Sequence, residues 1–293
     1  MKRPLQATLA LLCALACLLP GTANAQAQGT DAPLIRHYMV LGQDYYMESG
    51  AQSARTDALI LVSLDTAGNR IIFSSILRDC KVTTSGGGEN KINSVYRNHG
   101  ANGVAEVIKR HLDIDIEGVI VFDFNTVKDL IDALGGIDLT INESEFFMIR
   151  SILLHRDPNM PTGPGMTHMT GRIALAYMRN RSTGSGDFSR TERQRKVLAQ
   201  LMNKCARLSL PDLLALYNRI QNGLHTNLDA AKLVQLMLTA YPLMSAEVVS
   251  NVIPADRTFA YAELRSSSVL AVNWKRNREA LNALLYPQQT PAP

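Results

Sequence analysis

Two runs of β-branched and apolar residues, DALILVSLD (57–65) and RIIFSSIL (70–77), flank the short turn sequence TAGN. Runs of this length on either side of a turn are typical of a β-hairpin. Neither run alternates strictly between apolar and polar residues, so both strands are expected to be buried. The hairpin is therefore expected to lie inside a sheet that other elements cover.

Helical and strand patterns alternate after this hairpin. Residues 104–112 have helical apolar spacing, and GVIVFDF (118–124) is typical of a short buried strand. NTVKDLIDAL (125–134) predicts a helix with Asn125 as its N-cap, and IDLTIN follows as a strand. Alternation of this kind predicts an α/β sandwich around a central sheet. Further along we expect a long surface loop at 155–171. The rest is expected to be mainly helical, at 190–208, 211–222, 229–241 and 273–285, with a late strand at 247–254.

The chain opens with MKRPLQATLALLCALACLLPGTANAQA. A basic start, an apolar run over 7–19 and a breaker at Pro20 are the plan of a secretory signal peptide, here cleaved after Ala25. An uncleaved membrane anchor is the alternative, but the run is shorter than the roughly 20 residues that a spanning helix needs. The chain is therefore expected to work outside the cytoplasm. We expect these parts: signal peptide 1–25, flexible leader 26–35, one domain 36–286, and Pro-rich tail 287–293.

Charge and cysteine content narrow the class of protein. The formal net charge of the 293 residues is +4, and two of the positive charges, Lys2 and Arg3, lie in the leading segment. Overall charge therefore gives no support for nucleic-acid binding. Cys80 and Cys205 remain after the signal segment, and in an oxidising compartment they could pair or stay as two buried thiols.

Several familiar sites are excluded by their missing motifs. The chain has no HExxH, no paired CxxC and no GxSxG, which argues against a zinc site and an α/β-hydrolase. The glycine-rich SGGGENK lacks the GK[ST] ending of a phosphate loop and is interpreted as a turn.

Acidic and basic residues instead collect at the ends of predicted strands. Asp44 follows one strand, Arg55 and Asp57 precede the next, and Arg78 and Asp79 close the hairpin. Ligands commonly bind at such loop ends beside a buried sheet. If Asp44 and Asp57 converge, they would supply hard oxygen ligands for Mg²⁺. The alternative for each Asp is a turn or cap residue.

The segment AYMRNRSTGSGDFSRTERQRKV (176–197) concentrates arginines. If AYMRNR is extended, Arg179 and Arg181 point the same way. SRTE (189–192) matches a capping box, which places a helix N-terminus at Arg190 and adds the helix dipole to its charge. The segment could then bind an anion, and Arg190, Arg193 and Gln194 would share one face. A solvated basic surface is the alternative.

These residues resemble the LytR-CpsA-Psr family. The motifs LGQD, RTDALILVSLD, SSILRD, KINSVY, VIVFDFNTVKDLIDALGGIDL, ALAYMRNR and GDFSRTERQRKVL occur in the order and spacing of that family, over residues 40 to 202. The resemblance implies a three-layer α/β/α sandwich around a central mixed β-sheet. It also implies an Mg²⁺-dependent phosphotransferase at the outer face of a membrane, mainly in Gram-positive bacteria.

The reaction that the resemblance implies moves a glycopolymer, such as teichoic acid, from a polyprenyl-pyrophosphate carrier to peptidoglycan. A phosphodiester bond to muramic acid forms and polyprenyl phosphate leaves. The polyprenyl chain would lie between sheet and helices, with 104–112 and 127–134 as candidate walls. Alternatives are a pyrophosphatase acting on the same carriers and a catalytically idle cell-wall binding or regulatory protein.

The resemblance also implies a role for individual residues. Asp44 and Asp57 match the metal-binding carboxylates. The pyrophosphate-binding set is Arg55, Arg78, Lys91, Arg179, Arg181, Arg190 and Gln194. The catalytic set is Arg78, Asp79, Arg179 and Arg181. A disulfide between Cys80 and Cys205 would tie the strand before the active site to the arginine-rich helix.

Overall fold

The computed structural model describes residues 35–44, 55–154, 157–180, 187–205, 207–240, 242–243 and 246–287. The side chains of Asp44 and Arg55 lie outside the described part, although their backbone is within it. The predicted signal peptide, residues 26–34 of the leader, residues 288–293 of the tail, and Arg181 also lie outside the described residues.

The elements follow one another with strands and helices interleaved. The strands are β1 (Ile35–Asp44), β2 (Arg55–Asp65), β3 (Arg70–Ile76), β4 (Lys81–Thr83), β5 (Glu89–Lys91), β6 (Gly118–Asp123), β7 (Ile137–Ile141), β8 (Gly165–Met169), β9 (Leu224–Thr226), β10 (Glu247–Ile253), β11 (Phe259–Leu264) and β12 (Ser267–Val272). The helices are α1 (Val95–Leu112), α2 (Phe124–Ala133), α3 (Glu143–Leu153), α4 (Gly171–Arg179), α5 (Asp187–Cys205), α6 (Leu210–Ile220), α7 (Ala230–Ala240) and α8 (Trp274–Leu285).

The central sheet is mixed. In the described part of the chain it has six strands, in the order β10-β3-β2-β1-β6-β9. Strands β1, β2 and β3 pair antiparallel, whereas β6 runs parallel to β1 and β10 runs parallel to β3. Three two-stranded ribbons, β4–β5, β7–β8 and β11–β12, lie outside this sheet.

Alternating side chains of the central strands supply two separate cores. Tyr38 and Val62 face a core that includes residues of α2 to α7, while Met39 and Leu61 face a core that includes residues of α1, α8 and β12. Successive side chains of a strand point to opposite faces, so the two cores lie on the two sides of the sheet. The predicted three-layer α/β/α sandwich around a mixed sheet is confirmed.

The predicted hairpin is confirmed as β2 and β3, and the apolar runs are buried as expected. The turn between them is stabilised by Asp65, whose carboxylate accepts hydrogen bonds from Gly68 N–H at 2.7 Å and from Arg70 Nη2 at 2.6 Å. The strand predicted at 118–124, the helix that follows it and the late strand at 247–253 are also present.

Four local predictions are wrong. AYMRNR is not extended, because Arg179 is the last residue of helix α4. Helix α2 begins after Asp123, whose side chain accepts a hydrogen bond from Thr126 N–H, so the cap is not Asn125. Helix α5 begins at Asp187, before the predicted Ser189 cap. The predicted loop 155–171 contains β8, which pairs with β7.

The suggested disulfide between Cys80 and Cys205 is absent. Both residues are buried free thiols, and they belong to cores on opposite faces of the sheet. Because the sheet separates them, the two sulfur atoms cannot reach bonding distance without rearrangement of the fold. Burial raises the pKa of the Cys205 thiol to about 12.

None of the helices in the described ranges combines the length and the apolar character needed to cross a membrane.

Candidate active site

Asp57 lies at a break in the register between β1 and β2. Gln43 pairs with Thr56 and Gly42 pairs with Ala58, so Asp57 is the extra residue of a β-bulge. A bulge leaves one residue out of the ladder and turns its side chain away from the regular alternation. The Asp57 side chain is only 8% exposed and lies at the end of the sheet where β2 begins.

Two arginines from distant parts of the chain meet the Asp57 carboxylate. Arg78 Nη1 donates a hydrogen bond to Oδ1 at 2.8 Å. Arg190 Nη1 lies 3.7 Å from Oδ2, and Arg190 Nη2 donates to the Asp57 carbonyl oxygen at 3.3 Å. Arg190 is 1% exposed, so Asp57 balances a charge that water cannot solvate.

A second acid, Asp79, continues this network toward solvent. Lys91 Nζ donates to Asp79 Oδ1 at 2.8 Å, and Arg78 Nε lies 3.4 Å from Oδ2. The backbone of Asn93 holds the two loops together: its N–H donates to Arg78 O at 3.2 Å, and its carbonyl accepts from Thr56 Oγ1 at 3.2 Å. Asp57, Arg78, Asp79 and Lys91 therefore form one connected cluster.

This cluster borders a polar cavity. The cavity encloses about 820 Å³, its open mouth included. It is lined by Arg78, Asp79, Asn90, Lys91, Asn93, Ser94, Leu264, Arg265 and Ser267. Asp79 and Lys91 are each about one-quarter exposed, at 26% and 27%, so both can meet a ligand that enters from solvent.

An apolar cavity lies between the sheet and helices α2, α4 and α5. It encloses about 890 Å³, its open mouth included. Its walls are Val40, Leu41, Gly42, Ala58, Ile60, Val62, Phe73, Phe122, Phe124, Val127, Leu130, Met178, Gln194, Val197, Leu198 and Leu201. Because Ala58 follows Asp57 directly, this cavity begins beside the charged cluster. A ligand with an anionic group joined to a hydrocarbon chain matches both features.

Arg179 and Gln194 both lie close to the apolar cavity. The Arg179 guanidinium carbon lies 5.2 Å from the centre of the Phe124 ring, a cation–π arrangement, and Phe124 lines the apolar cavity. Gln194 follows Arg190 by one helical turn and also lines that cavity. Val127 and Leu130 of the candidate wall 127–134 line this cavity. The buried side chains of the other candidate wall, 104–112, pack on the opposite face of the sheet and do not line it.

The predicted site residues fall into two groups, one in the charged cluster and one at the apolar cavity. Five of them lie together: Arg78, Asp79, Lys91, Asp57 and Arg190. Gln194 lines the apolar cavity, and Arg179 lies over the Phe124 ring in the wall of that cavity. Arg193, three residues after Arg190 on helix α5, contacts different partners. Its Nη2 donates to the Asn180 carbonyl at 2.8 Å and its Nη1 lies 3.7 Å from Glu145, inside the core.

Asp57 supplies carboxylate oxygens, the type of donor that the expected magnesium ion takes. The Asp44 backbone pairs with Arg55, two residues from Asp57 along β2, so both acids belong to one end of the sheet. Carboxylate oxygens are the ligands Mg²⁺ prefers, and each oxygen can accept more than one partner. The Asp44 side chain is outside the described residues. Among the side chains that are described, His, Cys, Asp and Glu do not form a group of three or more that could hold a metal ion.

The LytR_cpsA_psr family model matches residues 31–284. The chain belongs to this family. The match covers every strand of the central sheet and both cavities. The cluster of arginines and carboxylates therefore lies within the region that the family model matches.

Curated relatives carry transferase names. The chain is 31% identical over 175 residues to the "Polyisoprenyl-teichoic acid--peptidoglycan teichoic acid transferase TagV" of Bacillus subtilis (strain 168), a match covering 58% of this chain and 44% of that protein. It is 33% identical over 196 residues to the enzyme of the same description named TagU from Bacillus cereus (strain AH820), covering 65% of this chain and 59% of the relative. The chain thus spans about half the length of these relatives.

A solved structure has the same fold. The LytR-CPS2A-psr family protein YwtF (TagT) with bound octaprenyl pyrophosphate lipid aligns with a TM-score of 0.66 and 20% sequence identity, covering 89% of this chain and 93% of that one. At this identity the likeness establishes the shared architecture.

The sequence reasoning missed the partners of the predicted cations. Phe124, which lies under Arg179, is predicted from the sequence only as the last residue of a strand. Glu145, which lies beside Arg193, is not singled out by the sequence. Glu145 had a detectable signal: Asn142 and Glu145 form a capping box at the start of α3, so a motif search would have placed this acid in a first helical turn. No comparable signal pointed to Phe124.

Proposed function

We propose that the protein transfers a glycopolymer from a polyprenyl-pyrophosphate carrier to peptidoglycan. Its products are a glycopolymer joined to peptidoglycan by a phosphodiester bond and polyprenyl phosphate. Family membership and the names of the two relatives support this class of reaction. The proposed place of work is the outer face of the cell membrane of a Gram-positive bacterium, because the carrier lipid and the acceptor meet there.

One observation carries the proposal: the cationic cluster adjoins the apolar cavity at neighbouring residues Asp57 and Ala58. A polyprenyl pyrophosphate has an anionic head next to a long hydrocarbon chain. Arginine binds phosphate oxygens in a bidentate manner, and an apolar cavity removes a hydrocarbon chain from water. The cationic cluster therefore matches the pyrophosphate, and the adjoining apolar cavity matches the hydrocarbon chain attached to it.

Asp44 and Asp57 are the residues that would hold Mg²⁺, which when bound neutralises charge on pyrophosphate oxygens. The chain's own cations work on the same charge. Arg78 and Lys91 border the polar cavity, and Arg179 lies at the apolar cavity. Together they would contact the pyrophosphate from both sides. Arg190 is buried behind Asp57 and acts by holding that carboxylate in place.

The transfer step has a defined balance of bonds. A hydroxyl oxygen of the acceptor sugar attacks the phosphorus that carries the glycan. The bond from that phosphorus to the bridging oxygen breaks, and polyprenyl phosphate leaves with the bond's electrons. Negative charge grows on the bridging oxygen, so cations placed there stabilise the transition state more than the ground state.

Asp79 is better placed than Asp57 to remove the proton of the attacking hydroxyl. Asp57 is enclosed by Arg78 and Arg190, and its side chain is 8% exposed. Asp79 borders the polar cavity and is 26% exposed, so an acceptor hydroxyl can reach it. A general base must lie within hydrogen-bond reach of the proton it removes.

The proposal is tested by following release of polyprenyl monophosphate from a pyrophosphate-linked donor. Release should require both Mg²⁺ and a peptidoglycan acceptor, and should be lost in Asp79→Asn and Arg78→Ala. Release without acceptor at the same rate would favour the pyrophosphatase alternative. No release under any condition would favour a binding or regulatory protein.

A further inference from the structure

The β11–β12 ribbon forms one wall of the polar cavity, although it lies far along the chain from the other walls. Its residues Leu264, Arg265 and Ser267 face Arg78, Asp79 and Lys91 across the cavity. The ribbon is fixed to this site through the backbone. Leu270 N–H donates to Asp79 O at 2.9 Å, and Cys80 forms a parallel bridge with Leu270. The position of Arg265 is therefore coupled to that of the Arg78–Asp79 turn.

The turn that carries Arg265 has an unfavourable backbone for its sequence. Arg265 has φ 49° and Ser266 has φ 61°, so both turn residues are left-handed. Two-residue hairpin turns of this kind favour Asn and Gly, because a side chain larger than Asx is disfavoured there. An arginine held in a costly conformation at the rim of a cavity is a candidate for a functional contact.

The charges around the cavity show what Arg265 could bind. Arg78 is paired with Asp57 and Asp79, and Lys91 is paired with Asp79. Within the described ranges, no acidic side chain lies within ion-pair distance of Arg265. It thus adds a positive charge on the wall opposite the predicted catalytic cluster.

We propose that Arg265 binds an anionic group of the substrate that occupies the polar cavity, beyond the reacting pyrophosphate. This inference rests on the proposed function. Two sources have the required oxyanion chemistry: a phosphate within the glycopolymer of the donor, or a carboxylate of the peptide carried by the acceptor. Arg265 is thus a specificity-determining residue that positions substrate, while the charge on the reacting phosphorus is left to the cluster at Asp57.

The test compares Arg265→Gln, Arg265→Lys and Arg257→Gln in the full chain. Arg257 is the matched control, because it is also left-handed at φ 59° and exposed at 93%, but does not line the cavity. Arg265→Gln is expected to raise KM for one substrate about tenfold, with kcat nearly unchanged, which is the loss of one charge-assisted hydrogen bond. Arg265→Lys should restore most of the affinity, and Arg257→Gln should match the wild type.

The source of the anion is read from paired substrates. If the donor supplies it, the KM effect vanishes with a donor whose glycan lacks phosphate. If the acceptor supplies it, the effect vanishes with an acceptor whose peptide carboxylates are amidated. Unchanged KM for both substrates in Arg265→Gln, or an equal change in Arg257→Gln, overturns the proposal.

Failure of the proposed function is distinguishable from failure of this inference. If the wild-type protein catalyses no transfer, calorimetric binding of a phosphate-bearing glycan and of a muropeptide still compares wild type with Arg265→Gln. About tenfold weaker binding of one of them supports the assignment of Arg265. Equal binding of both ligands by both proteins overturns it.

Discussion

Arg190 Nη1 lies 3.7 Å from Asp57 Oδ2, and this pair joins helix α5 to the bulged start of strand β2. The two side chains are 2% and 8% exposed. Removing one member of a buried ion pair leaves the other charge without compensation, at a cost of about 3–5 kcal/mol. The pair therefore links the geometry of the cationic cluster to the stability of the domain.

Replacing Arg190 by Met should lower both stability and turnover. The free energy of unfolding should fall by about 3 kcal/mol, because Asp57 keeps Arg78 but loses its more deeply buried partner. Turnover should fall at least about 100-fold, because a carboxylate that can shift no longer holds Arg78 in place. Urea unfolding and donor turnover measure the two effects separately.

Arg193→Met is the matched control for that variant. Arg193 is another buried arginine of α5, 3% exposed, but it contacts Glu145 and the Asn180 carbonyl. It should lose a similar amount of stability while keeping turnover at a temperature where it is folded. Equal loss of turnover in both variants would contradict the separate roles assigned to Arg190 and Arg193.

Filling the apolar cavity should weaken binding of donors with long lipid chains. Leu198 lines that cavity from α5 and is partly buried. Leu198→Trp is expected to raise KM for a polyprenyl donor roughly tenfold, because a bulkier side chain occupies space needed by several methylene groups, each worth about 0.8 kcal/mol on burial. A donor with a short lipid should be affected less.

Leu198→Met, which nearly conserves volume, should behave like the wild type. An effect of Leu198→Trp that is independent of lipid length would mean that the hydrocarbon chain does not enter this cavity.

Stability should fall with acid because of His37. Its ring is buried, and Nδ1 lies 2.8 Å from Ser63 Oγ. Burial lowers the pKa of His37 to about 4, an effect partly opposed by the charge of Asp115. The folded state thus binds fewer protons than the unfolded state, whose His pKa is about 6.5. The contribution of His37, of order 3 kcal/mol, is complete above pH 6.5 and is lost as the pH falls toward 4.

Urea unfolding at pH 7 and pH 4.5 measures this loss. His37→Gln should show a smaller difference between the two pH values than the wild type. His168→Gln is the control, because His168 is 56% exposed. A pH dependence of His37→Gln equal to that of the wild type would show that His37 is not the responsible group.

The cysteines should both be recovered as thiols. Cys80 and Cys205 lie in separate cores, so oxidising conditions should not join them. Alkylation of the native protein should leave both unmodified, since burial excludes the reagent and raises the pKa of Cys205. Alkylation after denaturation should modify both, as read by peptide mass mapping. A cross-linked Cys80–Cys205 peptide would contradict the fold.

The sheet and the cluster differ in how far the sequence predicts them. The β2–β3 hairpin follows from apolar runs and a turn, which are local signals. The family motif assigns Arg179 to the site, but the extended conformation expected for its segment is wrong. A helix, α4, forms there because its apolar face packs into the core, and the short arginine-rich sequence does not reveal that packing.

Composition and local patterns alone do not predict contacts between distant segments, which only the family resemblance suggested. Asp57 and Arg190 are separated by 133 positions, and the bulge that turns Asp57 depends on pairing with β1. Arg265 reaches the cavity only because β12 is bonded to the Asp79 turn. The sequence predicts the types of side chain in the site, whereas the contacts between them depend on tertiary structure.

Mass spectrometry of the products formed in H₂¹⁸O distinguishes transfer to peptidoglycan from hydrolysis. The protein is incubated with a polyprenyl-pyrophosphate-linked glycan, Mg²⁺ and peptidoglycan, and the peptidoglycan is then digested to muropeptides. Transfer should give muropeptides joined to the glycan through a phosphodiester that contains no ¹⁸O. Free glycan phosphate carrying ¹⁸O, with no glycan-bearing muropeptide, would contradict it.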